Sequence, residues 1–282
     1  MSDQLKAFGK YLFLGIFLLP ALAKEPKLLL DASRVTIEKE QKLLQTALWS
    51  YEKDDQQIDL IGVVHIADEE YYDDLNFRFK SYDAVFFEMI ANKASVKELQ
   101  AKREEPSDDK SHSGLNQFYS LYKTMMNLTM QNYGIDYTAK NLIHADMSPA
   151  ELKAAQEETG ETILDAVLNS EIDLSKVDQG IVMRAMMTGE SSLLKNELMG
   201  MLASADDGLG DETNPTVTIG GRNDKCLEVL KETLFQNKKL KKVAIFYGAG
   251  HLPDFHRKLS KDGWKHTNTE WLNAWEIETP KE

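Results

Sequence analysis

Two runs of strand-forming residues, one near each end of the chain, stop in the same four-residue phrase. Ile58-Asp59-Leu60-Ile61 leads into Gly62-Val63-Val64-His65, and Lys242-Val243-Ala244-Ile245-Phe246-Tyr247 leads into Gly248-Ala249-Gly250-His251. A chain that does this twice, with helix-forming sequence between, is constrained to an α/β arrangement in which both histidines stand at the C-terminal mouth of a sheet. That mouth is where open α/β sheets bind ligands. The glycines suit such a place because they let backbone approach closely and adopt conformations that other residues resist. A third strand, Ala84-Val85-Phe86-Phe87, ends on Glu88, and the segment Asp68–Leu75 before it reads as a helix. Strand, helix and strand in that order predict a right-handed parallel crossover.

At 282 residues and 42% apolar composition the chain can bury one substantial core. The first stretch is set apart: Lys6 and Lys10 precede the apolar run Tyr11–Leu19, and Pro20-Ala21-Leu22-Ala23 follows. This reads as a signal peptide over residues 1–23 with cleavage after Ala23, leaving one α/β domain over 24–282. The run falls short of the ~20 apolar residues of a membrane-spanning helix, so membrane contact is expected only through an uncleaved N-terminal segment. The predicted destination is export, to a periplasm or the cell exterior. A formal charge of −13 makes nucleic acid an unsuitable partner, because phosphates demand a basic face. Cys226 is the single cysteine, which excludes an internal disulfide, and its apolar neighbours predict a buried structural thiol.

The expected fold class is α/β, with a central mixed or parallel sheet flanked by helices and a mainly helical, divergent insertion at about 100–215. Before residue 58, Thr36–Leu44 reads as charged and helix-compatible, with no pairing assigned. Residues 102–114 hold almost nothing that could be buried and read as a mobile loop. Asn141–Asp146 reads as a short strand, and Ser148-Pro149-Ala150-Glu151 opens a helix with Ser148 as N-cap in a capping box. Methionines and leucines between Gln179 and Leu202 suit core packing, with a mobile wall over a substrate as the sharper alternative. The acidic stretch Ala205–Glu212 lacks EF-hand spacing and reads as a solvated turn.

Imidazole nitrogen and carboxylate oxygen together suit a divalent manganese, cobalt or zinc ion, and ligands converging from several strand ends leave positions for water or substrate. His65, Glu88 and His251 answer that description, either as metal ligands or, for the histidines, as catalytic bases. Glu88 follows three apolar residues, where an ionised carboxylate is costly without a cation or donors. Arg222 is the candidate partner, and equally a group for a substrate carboxylate or a developing oxyanion. Asn223 either orients Arg222 or caps a helix. His144 and Asp146 are further candidates: a strand would send both to one face, or else Asp146 begins the next helix. His112, His256 and His266 read as surface residues.

These phrases together, Ile61–His65, Val85–Glu88, Gly221-Arg222-Asn223 and Tyr247–Leu252, resemble the TraB, PrgY, GumN and Tiki superfamily, a fold group that includes ChaN and the erythromycin esterases. The likeness covers about residues 58–265. It implies an α/β fold and, in the Tiki branch, a metal-dependent protease active with manganese or cobalt. It carries metal ligation onto His65, Glu88 and His251 and a supporting polar role onto Arg222. The resulting expectation is an exported metal-dependent hydrolase acting on a peptide or other small substrate, with Glu88, Arg222 and Asn223 as catalytic residues. The competing expectation is a non-catalytic protein of the same fold that holds a peptide, a pheromone or haem. Tyr119, Tyr122, Tyr133 and Tyr137 are candidate lining residues for such a pocket. Substrate and oligomeric state are not legible at this level.

Overall fold

A computed structural model describes residues 30–102, 126–160, 178–205 and 216–278. The described residues from Asp31 onward belong to one unit. The expected signal peptide, residues 103–114 of the expected loop and residues 206–212 of the acidic stretch lie outside them. No helix among the described residues is long and apolar enough to cross a membrane.

Seven strands among these residues form one mixed sheet: β1 (Ser33–Glu38), β2 (Gln41–Lys53), β3 (Gln56–Val63), β5 (Ala84–Phe87), β7 (Leu142–His144), β8 (Lys242–Gly248) and β9 (Lys265–Glu278). Two shorter strands, β4 (Ile66–Ala67) and β6 (Thr129–Met130), pair antiparallel on their own. The parallel half runs in the order β3, β8, β5, β7, and its strands are almost continuously buried, as strands covered on both faces must be. The predicted parallel relation of β3 and β5 is present, with β8 from the far end of the chain inserted between them.

The antiparallel half overturns the reading of Thr36–Leu44 as helix-compatible. This segment is a hairpin of β1 and β2, turning at Lys39 and Glu40, whose φ angles of 48° and 70° supply the left-handed turn that matches strand twist. The reason is long-range: β2 also pairs along nearly its whole length with β9, and no local pattern reveals that partner.

Eight helices support the sheet among the described residues: α1 (Glu69–Phe79), α2 (Lys93–Ala101), α3 (Gln131–Gly134), α4 (Pro149–Thr159), α5 (Gln179–Thr188), α6 (Ser191–Ala205), α7 (Arg222–Gln236) and α8 (Leu252–Lys261). Successive β8 residues show the two covered faces. Phe246 meets Phe79 of α1 at a ring separation of 5.0 Å, and Tyr247 meets Phe255 of α8 at 5.1 Å. Alternation along a strand puts these rings on opposite sides. The capping box at α4 forms as expected, with Ser148 N–H on Glu151 Oε2 at 2.7 Å and Glu151 N–H on Ser148 Oγ at 3.2 Å.

The methionine-rich region is only partly core. Leu194, Leu198 and Met199 of α6 are buried in the core, while Met183 and Met187 of α5 stand exposed. α6 is clipped to the rest by Lys195, whose Nζ donates to Asp68 Oδ1 at 2.5 Å. Asp68 Oδ2 in turn accepts from the Glu276 N–H of β9 at 2.8 Å.

Candidate functional site

Because β8 lies between β3 and β5, three strand ends converge. His65 follows β3, Glu88 follows β5, and His251 closes the short 3-10 turn Ala249–His251 after β8. Gly62 makes the approach possible: a Cβ there would lie 3.1 Å from both the Ala47 carbonyl oxygen and Leu252 Cδ2. Gly248 serves differently. Its N–H donates to Glu88 Oε2 at 2.6 Å, so the turn after β8 supplies one of the carboxylate's donors.

Arg222 opens α7 beneath these groups. Its Nε and Nη2 grip Asp146 at 3.0 and 2.6 Å, and Nη2 also reaches Glu88 Oε1 at 2.5 Å. Side chains of Arg222, Glu88 and Asp146 are 7, 9 and 0% exposed, so their charges compensate one another out of water. Burial alone would raise the Glu88 carboxyl, but the His251 and His65 rings when protonated, the Arg222 guanidinium and the Gly248 N–H outweigh it and hold the group well below the usual carboxylate range. Glu88 is therefore ionised at neutral pH. Two carboxylates against one guanidinium leave a net negative charge at the site.

The two histidines share one arrangement. His251 Nδ1 faces Asn223 Oδ1 at 2.6 Å, and His65 Nδ1 faces Gln131 Oε1 at 2.8 Å. An amide oxygen only accepts, so each ring carries its proton on Nδ1 and keeps a lone pair on Nε2. His251 Nε2 points at Glu88 Oε1, 3.6 Å away, and at Arg222 Nη1, 3.4 Å away. His65 is exposed at the rim, and its ring when protonated acts on both Glu88 and His251. Gln131 reaches His65 because β6 pairs with β4 and Gln131 N–H donates to the His65 carbonyl at 2.9 Å.

Burial pushes His251 down to about 4, with Glu88 opposing the shift, so the ring is neutral at pH 7. A folded value below the unfolded ~6.5 means that the unfolded chain takes up the proton first, and stability falls as pH drops through that window. In chelator-treated protein we expect urea titrations to show a loss of about 2 kcal/mol between about pH 7 and pH 5, absent from His251→Gln. An unchanged slope in that variant would assign the effect elsewhere.

The resemblance implies a divalent ion, and the donor set suits one in part. Both Nε2 atoms can accept, His251 Nε2 meeting only a long 3.4 Å contact from Arg222 Nη1, and the 3.6 Å between His251 Nε2 and Glu88 Oε1 suits neighbouring donors held at about 2.1 Å from one ion. The net negative charge also favours a cation. No trio of His, Cys, Asp or Glu side chains among the described residues is grouped closely enough to hold a metal ion. The residues fit an ion in chemistry, with His251 and Glu88 already paired.

Sequence reasoning brought His65, Glu88, Arg222, Asn223 and His251 to one place; hydrogen bonds join Arg222 to Glu88 and His251, and Asn223 to His251, while His65 stands at the rim. The structure separates His144 from Asp146. β7 ends at His144, whose Nε2 meets the Met89 carbonyl at 2.6 Å and whose ring lies against Phe87, while Asp146 joins Arg222. Asn223 makes no helix cap and instead orients His251. His256 and His266 are partly exposed: His256 Nδ1 bonds the buried Tyr51 hydroxyl at 2.7 Å, and the His266 ring packs on Tyr51. Cys226 is buried as expected, and Tyr137 packs in the core against Phe87. His112, Tyr119 and Tyr122 lie outside the described residues. Two supporting groups were not anticipated, Gln131 and Asp254; only Asp254 left a trace, three residues beyond His251 and so on the same helical face.

No family model matches the chain, and no curated protein or solved structure matches it.

Proposed function

We propose that the protein is an exported hydrolase that uses a divalent metal ion, with peptides as the substrate class suggested by its resemblance to the Tiki branch. The observation that carries this reading is the shared histidine arrangement: both G-x-x-H rings have Nδ1 tied to a side-chain amide and Nε2 left as an acceptor, beside an ionised, buried glutamate. Metal-ligating histidines are held in this way, by a hydrogen bond from the other ring nitrogen. His251, Glu88 and His65 would hold the ion, which when bound supplies Lewis acidity and a water of lowered pKa.

The chain's own groups do the rest. Asn223 and Gln131 fix the rings, and Gly248 N–H and Arg222 Nη2 fix the Glu88 carboxylate. Arg222 is itself clamped by Asp146, which leaves its Nη1 edge turned toward His251 and able to meet negative charge building on a substrate carbonyl oxygen. His65, exposed at the rim, stands where substrate enters.

The test is melting of chelator-stripped full-length protein with manganese, cobalt, zinc or haem, followed by incubation of each loaded form with a peptide library. We expect one of the three metals to raise Tm and support cleavage that chelator stops. No metal shift and an uncut library would overturn the reading, and a stoichiometric haem Soret band would replace it with haem binding.

A further inference from the structure

We propose that Asp254 is a positioning residue that fixes the tautomer of His251 by holding the amide of Asn223 in one orientation. Its use in catalysis rests on the reading of His251 as a metal ligand, but the tautomer can be measured without metal.

The Asn223 side chain is fully buried, and its Nδ2 donates to the His251 carbonyl at 3.1 Å and to Asp254 Oδ2 at 2.9 Å. Both partners only accept. A flipped amide would set its oxygen against a carboxylate and a carbonyl, with no water to relieve the repulsion. The observed orientation therefore aims Oδ1 at His251 Nδ1, and the ring proton has one place to go.

The backbone carbonyl alone would pin one N–H of the amide. Asp254 pins the other, and it is held firmly enough to do so. Lys258 Nζ meets Asp254 Oδ2 at 2.9 Å, and Arg257 Nη2 donates to Oδ1. The same lysine reaches the Gly220 carbonyl at 2.7 Å and Asp224 Oδ1 at 2.6 Å. Gly220 belongs to the π-helical turn Val217–Gly221 that runs directly into α7, and Asp224 lies in the first turn of that helix. Lys258 and Asp254 thus join the helix after His251 to the start of the helix bearing Arg222 and Asn223. The direction of the effect follows from charge: a carboxylate can only accept from Asn223, whereas an amide at this position also brings a donor. In Asp254→Asn combined with Lys258→Met, Arg257 keeps the oxygen of the substituted side chain at the Oδ1 site, so its N–H group takes the Oδ2 site and faces Asn223. The Asn223 amide then turns, and its own N–H group meets His251 Nδ1. The ring proton moves to Nε2, the atom that must be bare to bind an ion.

Long-range proton–nitrogen correlation spectra of 15N-labelled, chelator-stripped full-length protein distinguish the two ring nitrogens. Wild type is expected to carry the His251 proton on Nδ1, and the Asp254→Asn, Lys258→Met double variant to show it partly or wholly on Nε2. In the variant, zinc affinity should also fall about tenfold or more, as for other losses of support behind a metal-binding histidine. A wild-type proton on Nε2 overturns the proposal without any variant, and so does a folded double variant with wild-type tautomer. If the tautomer shifts as expected but neither protein binds manganese, cobalt or zinc, the positioning role stands and the metal-dependent function falls.

Discussion

Replacing Arg222 with methionine is expected to cost about 3–5 kcal/mol of folding stability, because it strands two buried carboxylates that share this one guanidinium. Glu88 and Asp146 side chains are 9 and 0% exposed, so water cannot replace the lost partner. In a chain of this size the loss corresponds to a fall of roughly 10 °C in Tm. Adding Glu88→Gln to Arg222→Met should recover part of the loss, since one of the two uncompensated charges is gone; the two substitutions will not add, as groups in direct contact rarely do. Urea unfolding of the four proteins in this cycle measures both effects. A single-variant loss below about 1 kcal/mol would show that the carboxylates find other partners when Arg222 is removed.

Glu88→Gln alone is expected to cut peptide turnover by about 10²–10⁴-fold while the protein stays folded. The fold survives because the glutamine oxygen still accepts a hydrogen bond and Arg222 keeps its two-point grip on Asp146. The paired measurement of metal affinity divides the two roles left open for this residue. If Glu88 is a ligand, affinity and kcat fall together; if it is the proton-accepting base, affinity holds and kcat alone falls. A kcat within threefold of wild type would remove Glu88 from the chemistry.

How much of this was legible in the chain varies with the range of the interaction. The parallel half of the sheet was readable because each of its strands is a short apolar run ended by glycine or a charged residue, and because helical spacing separates them. Ser148-Pro149-Ala150-Glu151 was readable because a capping box is made entirely within one turn. The hairpin of β1 and β2 was not, since Thr36–Leu44 takes strand form only when β9, from the other end of the chain, lies beside it. Likewise, the separation of His144 from Asp146 depends on where β7 loses its partner β5, which fixes the last residue that keeps strand geometry.

The candidate site divides along the same line. Sequence by itself determined the chemistry available: two histidines after glycine turns, a glutamate closing an apolar strand and an arginine with an asparagine at a helix start, all expected at one edge of an α/β sheet. Those features are local, set by strand propensity and by the freedom of glycine. Only the tertiary structure decided which atoms are free to act. It brought Asp146, beyond the end of β7, to clamp Arg222 across 76 residues, Gln131 to His65 across 66, and the α8 acid Asp254 to Asn223 across 31. Hydrogen bonds between residues so far apart have no pattern along the chain. They exist because the core brings β3, β8 and β5 side by side and shuts water out, leaving each buried polar atom to find its partner within the protein.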